Sequence, residues 1–341
     1  MYGFDIFFGT CLLVSSIISY KFLRSARKYN IVIRAFRFII ISICTSFWIW
    51  LLLFFTVPKG HKLEEGVHIP RHLSILDEGT FVEDIPHRPQ AYGQHSKQYY
   101  NYYPAPANSP KKNTVIVHFH GGAWCAGSPY QHRYLAKLFH DQGYTVILPA
   151  YRLTPEVAYP EFKKDITNFL AHSVDFLKQE GIQAPQLILG GTSAGGNLAA
   201  LLSYDETTWQ SLNISRSLLK GTYSIAGVLD LNHMEQTYQL LSYTGPVDQP
   251  NYQQANPITW ISSQDSFPFL CLHGDKDGLA AYENAVSFCN QVNNVLPNQA
   301  QLKTFKDATH IEVGSSWYYN PKDNWGQDST LLQWIVQVSG S

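Results

Sequence analysis

The sequence predicts an α/β protein: a mostly parallel β-sheet with helices on both faces, preceded by an N-terminal transmembrane anchor. Three observations carry that expectation. From residue 111 onwards, short runs rich in Val, Ile and Leu alternate with helix-length stretches, as buried parallel strands alternate with the helices that connect them. Glycine-rich turns follow several of those runs, at the strand ends where such sheets collect their reactive groups. Ahead of all this stand twenty uncharged residues, Phe38 to Val57.

That run has the length needed to cross a hydrocarbon core of about 30 Å. An earlier run, Ile6 to Tyr20, is shorter, and either spans or lies flat at the interface. Between the two lie Lys21, Arg24, Arg27, Lys28, Arg34 and Arg37 with no acidic residue among them, a block that stays cytoplasmic by the positive-inside rule. Whether one run or both span, residues 61–341 are expected on the non-cytoplasmic side. The chain therefore divides into an anchor (1–60), a lead-in with edge strands (61–110) and a catalytic domain (111–341). Residues 1–60 carry a net charge of +6 and the remaining chain −7. A nucleic-acid binder concentrates basic charge on its folded part, so that class is excluded. Only 15% of the residues are charged and 45% are hydrophobic, which excludes a disordered chain. Cys125, Cys271 and Cys289 are too few and too irregularly spaced for a disulfide framework or a CxxC metal site, and read as small buried hydrophobes.

In the lead-in, rich in Pro, His and Tyr, one strand is expected near Gln98 to Tyr103, its tyrosines packing on the surface. Strands are then expected at Thr114 to His118, Thr145 to Leu148, Leu187 to Leu189, Tyr223 to Val228, Pro268 to Leu272 and near Leu302 to Phe305. Helices are expected at Gln131 to Asp141, Glu161 to Gln179, Ala194 to Tyr204 and Ala280 to Val292. Leu231 to Gln264 matches no pattern. The parallel connections should be right-handed.

The chemistry falls at the strand ends. After Leu187 to Leu189 comes Gly190-Gly191-Thr192-Ser193-Ala194-Gly195-Gly196, a GxSxG in the strand-turn-helix setting that lifts a serine hydroxyl above a sheet. It lacks the GK[ST] ending of a phosphate loop. After the strand from Thr114 the chain reads His120-Gly121-Gly122-Ala123-Trp124. Its glycines can turn backbone N–H groups toward an oxyanion, which assigns Gly121 and Gly122, with Ala194, as donors; His120 reads as a brace for that loop. A serine needs a base, and the base needs an orienting acid, in the order Ser, Asp, His on this architecture. The strand ends supply His273-Gly274-Asp275-Lys276-Asp277 and then Asp307-Ala308-Thr309-His310. His310 is the expected base, and Asp277, in preference to Asp275, the acid.

HGGAW, YRLTPE (Tyr151 to Glu156), GTSAGG and HGDKD resemble, in that order, the carboxylesterase branch of the α/β-hydrolases. The similarity runs over about residues 90–341 and is to hormone-sensitive-lipase-like, kynurenine-formamidase-like and prenylcysteine-methylesterase-like enzymes. It implies a serine esterase, or an amidase of the formamidase type, with Ser193, Asp277 and His310 as the triad, Gly121, Gly122 and Ala194 as the oxyanion hole, and Arg152 and Asp165 as braces. The substrate implied is a small-molecule ester; no metal or organic cofactor is called for, and beyond the lipid bilayer no partner is specified. The class outside enzymes is a hydrolase fold used as a binding module.

Overall fold

Strands β1 (Arg88–Ala91), β2 (Tyr99–Tyr103), β3 (Thr114–Phe119), β4 (Thr145–Pro149), β5 (Gln186–Thr192), β6 (Leu219–Ile225), β7 (Phe269–Gly274) and β8 (Ala300–Phe305) form one sheet in the order β1-β2-β4-β3-β5-β6-β7-β8. This is a computed structural model, and it describes residues 39, 41, 65, 85–109, 112–315 and 329–340. β1 and β2 pair antiparallel, as do β2 and β4, whereas every pairing from β4 through β8 is parallel. Every residue of β3, β4 and β7 is buried, as a strand covered on both faces requires. At the rims, β1 exposes Arg88 and Pro89, and β8 buries only its end residues Ala300 and Phe305 and carries Lys303 between them, which blunts both edges against further pairing.

The helices are α1 (Arg133–Asp141), α2 (Glu161–Gln179), α3 (Ala194–Tyr204), α4 (Glu206–Ser211), α5 (Tyr238–Thr244), α6 (Pro250–Gln254), α7 (Tyr282–Val295), α8 (His310–Ser315) and α9 (Thr330–Ser339). In α2 the buried Phe162, Ile166, Phe169, Leu170, Val174 and Leu177 recur at helical spacing and form a single apolar stripe. That stripe packs with Leu198 and Leu202 of α3 and Phe288 of α7 in one core cluster. A second cluster joins Leu135 and Phe139 of α1 to Leu331, Trp334 and Ile335 of α9. The sheet is thus covered on both faces.

Two expectations are corrected. The tyrosines near Gln98 to Tyr103 do not pack on the surface: Tyr100, Tyr102 and Tyr103 are core residues, because β2 is flanked on both sides and α2 covers Tyr100 and Tyr102 with Phe169 and Phe176. Cys125 is exposed, since it sits in the turn after β3, whereas Cys271 and Cys289 are buried as expected. The unplaced stretch after β6 holds a 3₁₀ turn at Leu231–His233, then α5, α6 and a second turn at Pro257–Trp260. The chain separates by its contacts into Met1–Gly60 and His61–Ser341. In the first unit only Ile39 and Ile41 are described, both helical; apart from these two residues, the spans expected at 6–20 and 38–57 lie outside the described residues. Among the described residues, no helix is long and apolar enough to cross a membrane.

The GTSAGG turn brings α3 against β3. A methyl group at Gly195 would lie 2.1 Å from the Phe119 carbonyl oxygen. In a helix, Gly to Ala ordinarily stabilises by up to about 1 kcal/mol. Here the obstacle is backbone inside the sheet, and overpacking of about 1–3 kcal/mol reverses the sign. Gly195→Ala is therefore expected to lower the urea midpoint of the full chain, read by circular dichroism.

Candidate active site

Ser193 stands between the last residue of β5 and the first of α3, at φ 54° and ψ −120°. A serine at positive φ is strained by about 1–3 kcal/mol and persists only where its surroundings fix it. Its N–H donates to the Ile225 carbonyl at 2.9 Å, and its own carbonyl accepts from Gly196 N at 2.9 Å and Asn197 N at 3.3 Å. The strain pushes the side chain out of the turn into a cavity of about 430 Å³, also lined by His310, Gly121, Gly122, Trp124 and Leu240. Among the described residues Ser193 Oγ has no hydrogen-bond partner; bonds of this kind often tighten only when substrate binds.

The acid and the base arrive from adjacent strand ends, β7 and β8. His310 Nδ1 donates to Asp277 Oδ2 at 2.7 Å. Asp277 Oδ1 accepts from Leu279 N at 2.9 Å and Ala280 N at 2.7 Å, and His273 Nε2 stands 3.1 Å from Oδ2. Burial opposes ionisation of Asp277, but the two imidazoles outweigh it and hold the carboxyl well below its usual range. Burial likewise draws the His310 pKa down; the charge and hydrogen bond of Asp277, with the charge of Glu65, outweigh it and raise that pKa above its ordinary value. Asp275 accepts instead from Asp307 N at 2.6 Å and bridges two turns. Of the two aspartates, Asp277 is the one that contacts His310.

The turn after β3 is left-handed at Gly122, Ala123 and Trp124 (φ 123°, 49° and 58°), and the Gly122 carbonyl accepts from Cys125 N at 3.0 Å and Ala126 N at 2.9 Å. His120 braces this turn. Its ring stacks on Tyr151 at 4.2 Å and Nδ1 donates to the Gly121 carbonyl at 2.8 Å. Burial pushes its pKa down to about 4, so it stays neutral.

Gly121 does not fit the donor role expected of it. Its N–H donates to His132 Nε2 at 3.3 Å. A neutral His132 that accepts at Nε2 carries its proton on Nδ1, which lies 3.2 Å from His118 Nε2; His118 Nδ1 then donates to the Tyr223 hydroxyl at 2.9 Å. Gly121 is the end of this buried chain. Among the described residues, the N–H groups of Gly122 and Ala123, which line the cavity, and that of Ala194, first in α3, have no partner. Ala123 was hidden in the sequence because only its left-handed backbone marks it.

Arg152 and Asp165 brace the sheet end: the guanidinium contacts both carboxylate oxygens at 2.7 to 3.1 Å, and Gln98 Nε2 donates to the same group at 2.8 Å. Among the described residues, no group of three or more His, Cys, Asp and Glu is placed to hold a metal ion.

A serine on a strand-turn-helix, followed by an acid and a histidine from later strand ends, is the layout of the α/β-hydrolases, and comparison with known proteins puts the chain among their esterases. The BD-FAE family model matches residues 102–292, and the chain belongs to that family. An ethyl acetate hydrolase of Pseudomonas putida is 32% identical over 231 residues, 62% of this chain and 71% of that protein. An arylesterase of Saccharolobus solfataricus is 36% identical over 99 residues, 28% of this chain and 32% of that one. Esterase B from Lactobacillus rhamnosis, solved with a tributyrin phosphonate inhibitor, superimposes with a TM-score of 0.67 at 20% identity, covering 82% of this chain and 94% of that one. The chain spans less than half the length of several curated relatives it matches.

Asp277 can be distinguished from Asp275 without any substrate. Asp277→Asn removes the charge that holds the His310 proton, so the imidazole should titrate at lower pH than in the wild type. Asp275→Asn should leave it in place. Nuclear magnetic resonance of the imidazole Cε1–H reads both.

Proposed function

We propose that this protein is a membrane-anchored serine esterase that hydrolyses a carboxylic ester through an acyl-enzyme on Ser193. The observation that carries this reading is the buried His310–Asp277 hydrogen bond of 2.7 Å beside the cavity into which the strained Ser193 turn opens. With Nδ1 held by Asp277, the imidazole has Nε2 left to act as base. Ser193 Oγ attacks the ester carbonyl carbon as Nε2 takes its proton. The carbonyl oxygen becomes an oxyanion held by the N–H groups of Gly122, Ala123 and Ala194. Collapse breaks the bond to the alcohol oxygen, which leaves with the proton from His310. Water then attacks the acyl-serine, again giving its proton to His310; the acid departs and Ser193 is restored. Each donor of such a hole typically contributes roughly 3 kcal/mol to the transition state.

The cavity is within the size range of small-molecule sites, and its wall of Trp124, Val228, Met234, Leu240, Leu279 and Ile311 is apolar. That supports an ester with an apolar acyl or alcohol group. An amide of the formamidase type uses the same groups, and the choice between them is made by substrate. A panel of p-nitrophenyl esters graded by chain length, with N-formylkynurenine and a prenylcysteine methyl ester beside them, decides it.

The anchor reading rests on the uncharged run Phe38 to Val57 and the basic block before it, and it places the esterase on the non-cytoplasmic side.

Three outcomes follow. Ser193→Ala should abolish ester turnover and fluorophosphonate labelling while keeping the wild-type unfolding transition; a variant retaining a third of wild-type kcat refutes the mechanism. In the same assay Asp277→Asn should lose about 10⁴ in kcat, and Asp275→Asn far less. For the topology, a C-terminal alkaline phosphatase fusion expressed in a Gram-negative host should be active, and a cytoplasmically folding fluorescent protein at the same end dark.

A further inference from the structure

Glu65 precedes the first strand by more than twenty residues, in the segment read from sequence as a lead-in, yet it is a helical residue with only 1% of its surface exposed. Its carboxylate is spent on the reactive end of the sheet. Oε1 accepts from Gly278 N at 3.1 Å and from His310 N at 2.5 Å, and Oε2 accepts from Ile311 N at 3.2 Å. Gly278 directly follows Asp277, and His310 and Ile311 open α8. One side chain therefore ties the turn that carries the acid to the segment that carries the base.

We infer that Glu65 is a positioning residue of the esterase, a carboxylate that fixes the His310 backbone against the Asp277 turn so that the imidazole faces Ser193 correctly. This rests on the esterase reading above. Three properties of the contact support it. It is bidentate across two loops, so it sets their separation as well as holding each one. It is buried, where a carboxylate lacking its N–H partners would be costly and the arrangement is therefore well defined. It also puts a second carboxylate beside His310 that contacts backbone N–H groups and not the imidazole, whose Nδ1 is taken by Asp277.

The charged and titratable groups facing His310 from the packed elements are Asp277 and Glu65 in contact with its loops, His273 behind Asp277 and Glu312 two residues on, whose carboxylate accepts from Thr309 N. Lys276 turns to Asp307 at 3.1 Å, and His132 and Glu235 lie across the cavity. Of these, Asp277 and Glu65 act on the His310 proton in the same direction.

Glu65→Gln keeps the shape, removes the charge and sets an amide N–H₂ against a backbone N–H. In the full chain, kcat for a p-nitrophenyl ester should fall between roughly tenfold and a hundredfold, the scale of a misplaced catalytic group. KM should stay near wild type, because the acyl wall is untouched. The His310 titration, read by nuclear magnetic resonance, should move to lower pH. Glu65→Asp keeps the charge on a shorter arm, so it should restore the titration more fully than kcat. A Glu65→Gln enzyme with wild-type kcat and an unmoved titration overturns the proposal. So does a loss of kcat that merely follows a lowered unfolding temperature with the titration unmoved, or the failure of both variants to show a cooperative unfolding transition. A wild-type chain without Ser193-dependent turnover removes the esterase reading alone; the His310 titration then still decides whether Glu65 acts on the imidazole.

Discussion

The structure depends on a turn that no ordinary residue adopts freely. Ser193 is held at positive φ where β5 becomes α3, and the strain is offset by what α3 does next. Asn197, one turn into that helix and fully buried, donates through Nδ2 to the Val228 carbonyl at 3.0 Å and the Ala255 carbonyl at 3.2 Å. Its Oδ1 accepts from the Tyr243 hydroxyl at 2.9 Å. A buried amide with its partners satisfied is expensive to disturb. Tyr243 in turn stacks on Trp124 at 4.3 Å, nearly parallel, and Trp124 is the third left-handed residue of the turn after β3. The helix that begins at the serine turn is thus linked, through Asn197, Tyr243 and Trp124, to the cavity wall and to the turn after β3.

The same economy governs charge at the other side of the cavity. A buried aspartate is tolerable when its lone pairs are used, and Asp277 uses them on two backbone N–H groups and on His310, with His273 close behind. Its orientation is therefore set by the turn after β7 before the imidazole arrives. The imidazole is then aimed from two directions, by Asp277 at Nδ1 and by Glu65 at its backbone. A rotation about one bond cannot satisfy both restraints except near the observed geometry.

Much of this was legible in the sequence, and the reasons differ by residue. The positions of Ser193 in the β5–α3 turn and of His310 after β8 were legible because each is marked locally, by glycines around a sharp turn and by a strand end in the expected order. α2 and α3 were legible to the residue because their apolar spacing runs unbroken between turn signals. The partner of the Gly121 N–H was hidden because motif spacing says which backbone groups are near the site, while His132, which takes that N–H, lies in the next turn and is joined to it only by folding. The tyrosines of β2 looked superficial because the runs that cover them, in α2, come some seventy residues later. Leu231 to Gln264 shows only retrospective signals: Thr237 caps α5, and Pro250 and Pro257 open their helical turns. Glu65 left no trace, because its partners are backbone amides more than two hundred residues away, and an amide has no residue type to recognise.

That division between legible and hidden parts has a physical meaning. The reacting groups sit on strand ends of a sheet buried on both faces, where packing density leaves little room for adjustment. The cavity wall opposite them, from Met234 to Leu240, is drawn from short turns after β6, held to the sheet through Asn197 and Tyr243 rather than by strand pairing. Substitutions there change the shape offered to substrate while the separation of Ser193, Asp277 and His310 stays fixed by β5, β7 and β8. The four short motifs therefore fall on the sheet ends, while the cavity wall that would meet the acyl and alcohol groups comes from the segment after β6, where the sequence carries no motif.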